Sequence, residues 1–225
     1  MQLVIGNKNY SSWSMRPWVL MKQLGLDFTE QKYRFDFSEG SAYRQAIAKL
    51  SATGLVPSLL DDGLSVCDTL AIAEYLHDKF PHAGVWPADK KHRALARCLA
   101  TEMHSGFGAL RSHCPMNIEA HLPEVGAKIW AEQAGVRKDV GRIEAAWATA
   151  LQTSGGPFLF GDFCATDAMF APVCMRFITY GLPLSTTAQG YVERVRATPG
   201  VAAWVADALT EADFLDFEEP YRQHR

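Results

Sequence analysis

The first eighty residues carry short-range apolar patterns that change period several times. Leu3, Val4 and Ile5 form an apolar run of buried-strand length. Val19, Leu20 and Leu24 then recur near one face of residues 14–25. That spacing predicts a helix stopped by Gly25, with Pro17 in its first turn, where a missing N–H costs nothing. Residues 28–35 read as a second strand, and residues 41–50 as a short helix opened by Ser41. In residues 54–66 two apolar runs flank Asp62-Gly63, a hairpin signal because both residues tolerate positive φ. Ile72, Tyr75 and Leu76 line one face of a helix over 68–80, ended by Phe80 and Pro81. The order β-α-β-α-β-β-α implies a mixed sheet with helices packed on it.

Beyond this the strand pattern disappears. Two prolines, a glycine and a charge cluster mark residues 81–91 as a linker between a first domain, 1–80, and a second, 92–225. The second domain reads as all-helical. A long amphipathic helix spans 92–113, and Pro123 opens another that runs to about Leu151, before Gly155-Gly156-Pro157. A very apolar central helix covers 165–181, and shorter helices at 191–198 and 200–209 flank Pro199. The fold class is therefore α/β plus all-α.

Composition narrows the function. Apolar residues make up 48% of the 225 and charged residues 21%, as in an ordinary globular protein that can bury a sizeable core. A net charge of -3 without a basic stripe argues against nucleic acid as a partner. No stretch approaches the ~20 apolar residues of a membrane helix, and the N-terminus does not read as a signal peptide. The five cysteines are odd in number and lack C-x-x-C spacing, which suggests reduced thiols and a cytoplasmic location. Seven scattered histidines give no ligand spacing, so no metal is expected.

Several groups each carry two readings. Ser11, Ser12 and Ser14 sit where a strand hands over to a helix; serine there is a cap, or a hydroxyl that donates to an anion with help from the helix dipole. Val56-Pro57 is a trans proline in a loop, or a cis proline that turns the Val56 backbone toward an extended peptide. Asp68-Thr69 is an N-cap with an ordinary first turn, or a head-group site: hydroxyl and helix N-terminus for a carboxylate, aspartate for an ammonium. Met103, Phe107 and Arg111 recur at near-helical spacing, as core and salt bridge or as a pocket wall. Arg176 lies inside an apolar run and needs a partner, either a substrate anion or a carboxylate such as Asp167 or Glu102. Asp167 should reach back to the Cys164 amide as the acid of a capping box, half-made because a thiol is a weak acceptor.

Taken in register, these segments resemble the cytosolic glutathione transferases, in a bacterial, serine-type form. "SSWSMRPW" resembles the S-S-C-x-x-R-V-R stretch of the zeta class, with Trp13 in the cysteine's place and Pro17-Trp18 replacing Val-Arg. "LVPSLLDDGLSVCDTLAIAEYL" resembles the family's V-P-x-L … E/Q-S-x-A-I-x-x-Y-L segment, and "FLFGDFCATDAMFAP" its G-D-x-x-S-x-A-D helix start. The resemblance covers nearly the whole chain. It implies a thioredoxin-like N-terminal domain with a four-stranded mixed sheet and a helical-bundle C-terminal domain.

It also implies residue roles. Ser11, with Ser12 next, would donate to the sulfur of glutathione, the co-substrate, and Ser14 would be structural. Trp13 would border the bound peptide, Val56 would pair its backbone with the cysteinyl unit across a cis Pro57, and Asp68 and Thr69 would hold the γ-glutamyl end. A small electrophile would bind between the domains near Met103, Phe107, Arg111 and Arg176. The expected protein is a homodimeric detoxification enzyme conjugating glutathione to electrophiles. A zeta-type isomerase, in which the thiol adds and leaves, and a non-catalytic ligand-binding protein of the same fold are the alternatives.

Overall fold

A computed structural model describes residues 1–225. In the first domain, β1 (Gln2–Ile5), α1 (Ser12–Gln23), β2 (Thr29–Lys32), α2 (Ala42–Leu50), β3 (Ser58–Asp61), β4 (Leu64–Val66) and α3 (Thr69–Lys79) follow the order read from the pattern. The sheet runs β2-β1-β3-β4, with β1 parallel to β2 and antiparallel to β3, and β3 antiparallel to β4. Asp62 and Gly63 both take positive φ at the hairpin turn, 47° and 82°. Alternate hydrophobic positions explain little here, because Leu3, Val4 and Ile5 are all fully buried, covered on both faces.

α1 begins earlier than the apolar spacing indicated. Ser11 caps it, and Pro17 is the sixth helical residue rather than a first-turn residue. Its missing N–H leaves the Trp13 carbonyl without a helical donor. The Ser41 hydroxyl and the Asp68 carboxylate open α2 and α3 in the same way, each accepting a backbone N–H of the first turn.

The helical part contains α4 (Lys90–Ser105), α5 (Gly108–His113), α6 (Pro123–Glu132), α7 (Ala134–Ser154), α8 (Ala165–Tyr180), α9 (Thr186–Ala197) and α10 (Pro199–Glu211), then a 3₁₀ turn at Asp216–Glu218. Two long helices of the sequence reading are each broken in two. Residues 92–113 divide at Gly106-Phe107: Phe107 adopts the left-handed region, φ 57°, and a Cβ at Gly106 would sit 2.6 Å from the Glu102 carbonyl. Residues 123–151 divide at Gln133, which ends α6 and begins α7; Arg137 Nη1 donates to the Ala131 carbonyl at 3.0 Å, taking up an acceptor that the break leaves free. The apolar period continues across both breaks, so periodicity could not register them.

One hydrophobic core joins both parts, from Leu3 and Leu59 in the sheet through Trp18 in α1 to Phe170 and Trp204 in α8 and α10. α1 lies between α3 of the sheet domain and α8 and α10 of the helical one. Residues 81–91 are not a loose tether. Val85 and Trp86 are buried, and the Val85 carbonyl accepts from the Ala165 amide at 2.9 Å. Arg97 of α4 forks onto Glu74 of α3 at 2.9 and 2.6 Å. The start of α8 is thereby fixed against the linker, and with it everything α8 carries toward α1.

Candidate active site

The N-terminus of α1 opens into a cavity of about 600 Å³ between the two domains. Ser11, Ser12 and Trp13 line it from α1, Val56 from the loop before β3, Arg111 from α5 and Arg176 from α8. Six of the residues singled out in the sequence thus share one wall. Tyr10, Phe35, Phe37, Tyr43, Met116 and Glu218 also line the cavity. None of these stood out in the sequence: Tyr43 lies on α2, and the others come from loops, the tail and the segment after α5, where no period points at a site.

The three serines have separate environments. Ser14 is fully buried, and its Oγ accepts the Gly6 amide at 3.1 Å, a structural role. Ser11 Oγ donates to Ser14 Oγ at 2.7 Å and accepts the Ser14 amide at 3.3 Å. Ser12 Oγ accepts from Arg176 Nη2 at 3.2 Å.

Val56 precedes Pro57 through a cis peptide. It stands outside the sheet ladder, and no backbone partner within the chain takes its N–H or C=O. An edge with both groups free can pair an extended peptide.

Asp68 and Thr69 open α3, and Asp68 Oδ1 accepts the Leu70 amide at 3.0 Å. They do not line the cavity wall directly. His104 of α4 joins them to it: its Nε2 lies 3.2 Å from Asp68 Oδ2 and its Nδ1 3.4 Å from Thr69 Oγ1. Because Asp68 only accepts, Nε2 donates to it. The His104 ring packs edge-on against Trp13, centroids 5.1 Å apart. Nothing in the linear pattern marks His104 beyond its place on an amphipathic helix.

Two expected pocket residues lie elsewhere. Met103 is fully buried in the core, and Phe107 packs against Phe170 with little exposure. Neither touches the cavity. The helix break at Gly106 turns Arg111 alone toward it. Arg176 finds neither of the carboxylates considered for it. Asp167 accepts from Leu159 N, Cys164 N and Tyr191 Oη, and Glu102 pairs with Arg142. Arg176 Nε instead donates to the Cys114 carbonyl at 2.8 Å.

The electrostatics favour anions. Arg16, almost fully buried on α1, stacks on the Trp13 ring at 4.1 Å, and Arg111 lies over the same ring at 5.0 Å. Arg16 Nε and Nη1 and Arg176 Nη1 are buried without a partner. Burial, with Arg176 and Arg111 nearby, pushes the Arg16 guanidinium well below its ordinary range, and burial and Arg111 push Arg176 down to about 10. Unpaired buried cations cost several kcal/mol on the order of other desolvated ions. Arg176 and Arg111 line the cavity and can meet a negative group that enters it, whereas Arg16 lies behind its wall.

Known proteins share this layout. Residues 10–79 match the family model described as the glutathione S-transferase N-terminal domain, the segment that holds the serines, Val56-Pro57 and Asp68-Thr69. A crystal structure of a glutathione transferase homologue from Burkholderia gl BGR1, with bound glutathione, superposes with a TM-score of 0.68 at 27% identity over 94% of this chain and 98% of that one. Residues 10–79 carry the N-terminal domain of the glutathione S-transferase family, and the chain as a whole resembles that family's members. Among its relatives, glutathione S-transferase 1 of Dianthus caryophyllus is 28% identical over 82% of this chain and 81% of its own length. The maleylacetoacetate isomerase of Rattus norvegicus is 24% identical over 73% of this chain and 69% of its own. As in the family at large, a thioredoxin-like domain with a four-stranded mixed sheet precedes the helical one.

Proposed function

We propose that the protein is a glutathione transferase that joins the glutathione thiolate to small electrophiles. The observation that carries this is the convergence, on one interdomain cavity, of a serine-rich helix start and the unpaired Val56 backbone. A peptide thiol pairs with Val56, its γ-glutamyl head group reaches Asp68 and Thr69, and its sulfur meets a serine hydroxyl of the Ser11–Ser12 pair. Trp13 walls the bound peptide.

The chemistry asked of the site is modest. A free thiol ionises near pH ~8.5, and the thiolate is the nucleophile. Lowering that by about two units takes roughly 2.7 kcal/mol, within reach of a hydroxyl donor, a helix N-terminus and nearby cations. Arg111 and Arg176, at the helical side of the cavity, suit an electrophile that carries or develops negative charge.

A glutathione-dependent isomerase is the second reading, favoured by the similarity to maleylacetoacetate isomerases. Trp13 in place of the zeta-class cysteine speaks for the transferase. The proposal extends to a homodimer with a detoxifying role in the cytoplasm; the free state of all five cysteines fits that compartment. No helix is long and apolar enough to cross a membrane.

The test is glutathione consumption with a panel of activated aryl halides and unsaturated carboxylates. Conjugates that accumulate as glutathione disappears support the transferase. Isomerised product with glutathione unchanged supports the isomerase. No binding of glutathione by calorimetry removes both.

A further inference from the structure

The two cavity serines differ in where their protons go. A hydroxyl has one hydrogen and two lone pairs, and a guanidinium can only donate. Ser11 spends its hydrogen on Ser14 Oγ at 2.7 Å, inside the cap of α1. Ser14 Oγ is held in turn by the Gly6 amide at 3.1 Å, so freeing Ser11 would unmake a buried three-group network. Ser12 has the opposite arrangement. Its oxygen accepts from Arg176 Nη2 at 3.2 Å, and no acceptor in the chain takes its hydrogen. Ser12 also lines the cavity. With one lone pair fixed by the arginine, its hydrogen is left for whatever enters.

Arg176 is itself held in place. Its Nε donates to the Cys114 carbonyl at 2.8 Å, and it is 4% exposed on a helix buried nearly throughout. Donation from a cation polarises the hydroxyl it reaches, and the effect is larger where water is excluded. The contact crosses the domain boundary, from α8 to the first turn of α1.

We propose that Arg176 is a positioning residue for the thiol chemistry: it holds Ser12, rather than Ser11, as the hydrogen-bond donor to the glutathione sulfur. This rests on the glutathione transferase reading above. Ser12 gives up no proton. The bound thiol loses its own to water, and the sulfur's electron pair, stabilised by the Ser12 hydrogen bond, forms the new C–S bond: an aryl halide then releases halide with the C–halogen pair, and an unsaturated carboxylate shifts its C=C pair to the neighbouring carbon, which takes a proton from water. The other titratable groups on the cavity wall are Tyr10, Tyr43, Arg111 from α5 and, from the tail, Glu218, whose carboxyl burial and the adjacent Glu219 push upward; Arg16 from α1, His104 from α4, Asp68 before α3 and Cys114 lie behind it. They are common to every variant compared below, so differences between variants report on Ser12 and Arg176.

The experiment is a titration of the bound thiol by its ultraviolet thiolate absorbance, with the pH–rate profile of conjugation, for wild type, Ser11→Ala, Ser12→Ala, Arg176→Lys, Arg176→Met and the Ser12→Ala/Arg176→Met double variant. Calorimetry first establishes that wild type binds glutathione; if it does not, the transferase reading fails and not this step alone. Ser12→Ala and Arg176→Met are each expected to raise the midpoint of both titrations by about one pH unit, a roughly tenfold loss of rate on the acid side. Their combination should shift it no further, because the arginine acts through the serine. Arg176→Lys, which keeps the charge and is the variant to use if Arg176→Met does not fold, should shift it by less. Ser11→Ala should lower the unfolding midpoint and shift the thiol titration by less than Ser12→Ala does. A shift in Ser11→Ala with none in Ser12→Ala overturns the assignment. So does an Arg176→Met shift that persists at full size when Ser12 is already alanine, since the arginine would then act on the sulfur directly.

Discussion

Tyr10 Oη donates to Glu219 Oε1 at 2.7 Å, joining the cavity's first wall residue to the C-terminal tail. Asn117 Nδ2 donates to the same oxygen at 2.9 Å, and Arg222 pairs with the carboxylate from within the tail. Burial and the Glu219 bond together push the Tyr10 phenol up to about 12. The neighbouring Glu218 lines the cavity, so this one carboxylate sets the position of that wall.

Glu219 should therefore make the tail sensitive to acid. Burial raises its carboxyl, but the donors Arg222, Tyr10 and Asn117 outweigh that and hold it below the ordinary range. A depressed native value means that the stabilisation is complete above the unfolded value, about 4.3. It is lost as pH falls through the lower native value. Amides of Leu215 to Glu219 should exchange faster below pH ~4 than the rest of the chain, after correction for intrinsic rates. Glu219→Gln should remove that acid dependence and weaken the tail by about 1–2 kcal/mol at neutral pH. Uniform acid behaviour along the wild-type chain would contradict this.

Much of this was legible in the sequence because it depends on local chemistry. Asp62-Gly63 can only be a tight turn between its apolar flanks, and Ser41 and Asp68 announce their helices as caps. Ser11, Ser12, Trp13, Val56, Arg111 and Arg176, singled out by residue type, spacing and family resemblance, line one cavity. What could not be read was geometry that depends on a broken period. Gly106 and Phe107 interrupt α4 without interrupting its hydrophobic repeat, so Met103 and Phe107 were expected on the pocket wall and lie in the core. His104, Tyr10 and Glu218 reach the site through packing between segments far apart in the chain, which no local pattern encodes.

The capping box of α8 came out as expected on its acid side and fuller than expected on the other. Asp167 Oδ2 accepts the Cys164 amide at 3.0 Å, and the Cys164 sulfur also takes the backbone N–H of Asp167, so both halves are present. Sulfur remains the weaker acceptor. Cys164→Ser should raise stability by ~0.5–1 kcal/mol, read as a higher urea midpoint at unchanged slope. An unchanged or lower midpoint would mean that the sulfur already caps as well as an oxygen, or that its packing contributes more than the cap.

Met103 offers a test of the corrected pocket. Its side chain is fully buried and away from the cavity. Met103→Ala should cost about 2–4 kcal/mol in unfolding free energy through the space it leaves. The KM for an electrophile should stay within a few fold of wild type at temperatures where the variant is folded. A large change in KM with little loss of stability would put Met103 back on the wall.

Asp68 separates binding from chemistry. It stands at the start of α3 with Oδ2 toward His104, off the cavity wall that carries Ser11 and Ser12. Its carboxylate is the one acceptor there suited to an ammonium, and Thr69 beside it presents a hydroxyl at a helix N-terminus. Asp68→Ala should weaken glutathione affinity by roughly 10–100-fold, or ~1.4–2.7 kcal/mol. At saturating glutathione the rate of the chemical step should change by no more than a few fold, because the head group is held equally in ground and transition states. Thr69→Val should act in the same direction. Calorimetric affinity and single-turnover conjugation together decide it: a chemical step slowed as much as binding is weakened would mean that Asp68 acts on the sulfur, through His104 and Trp13, and not on the head group.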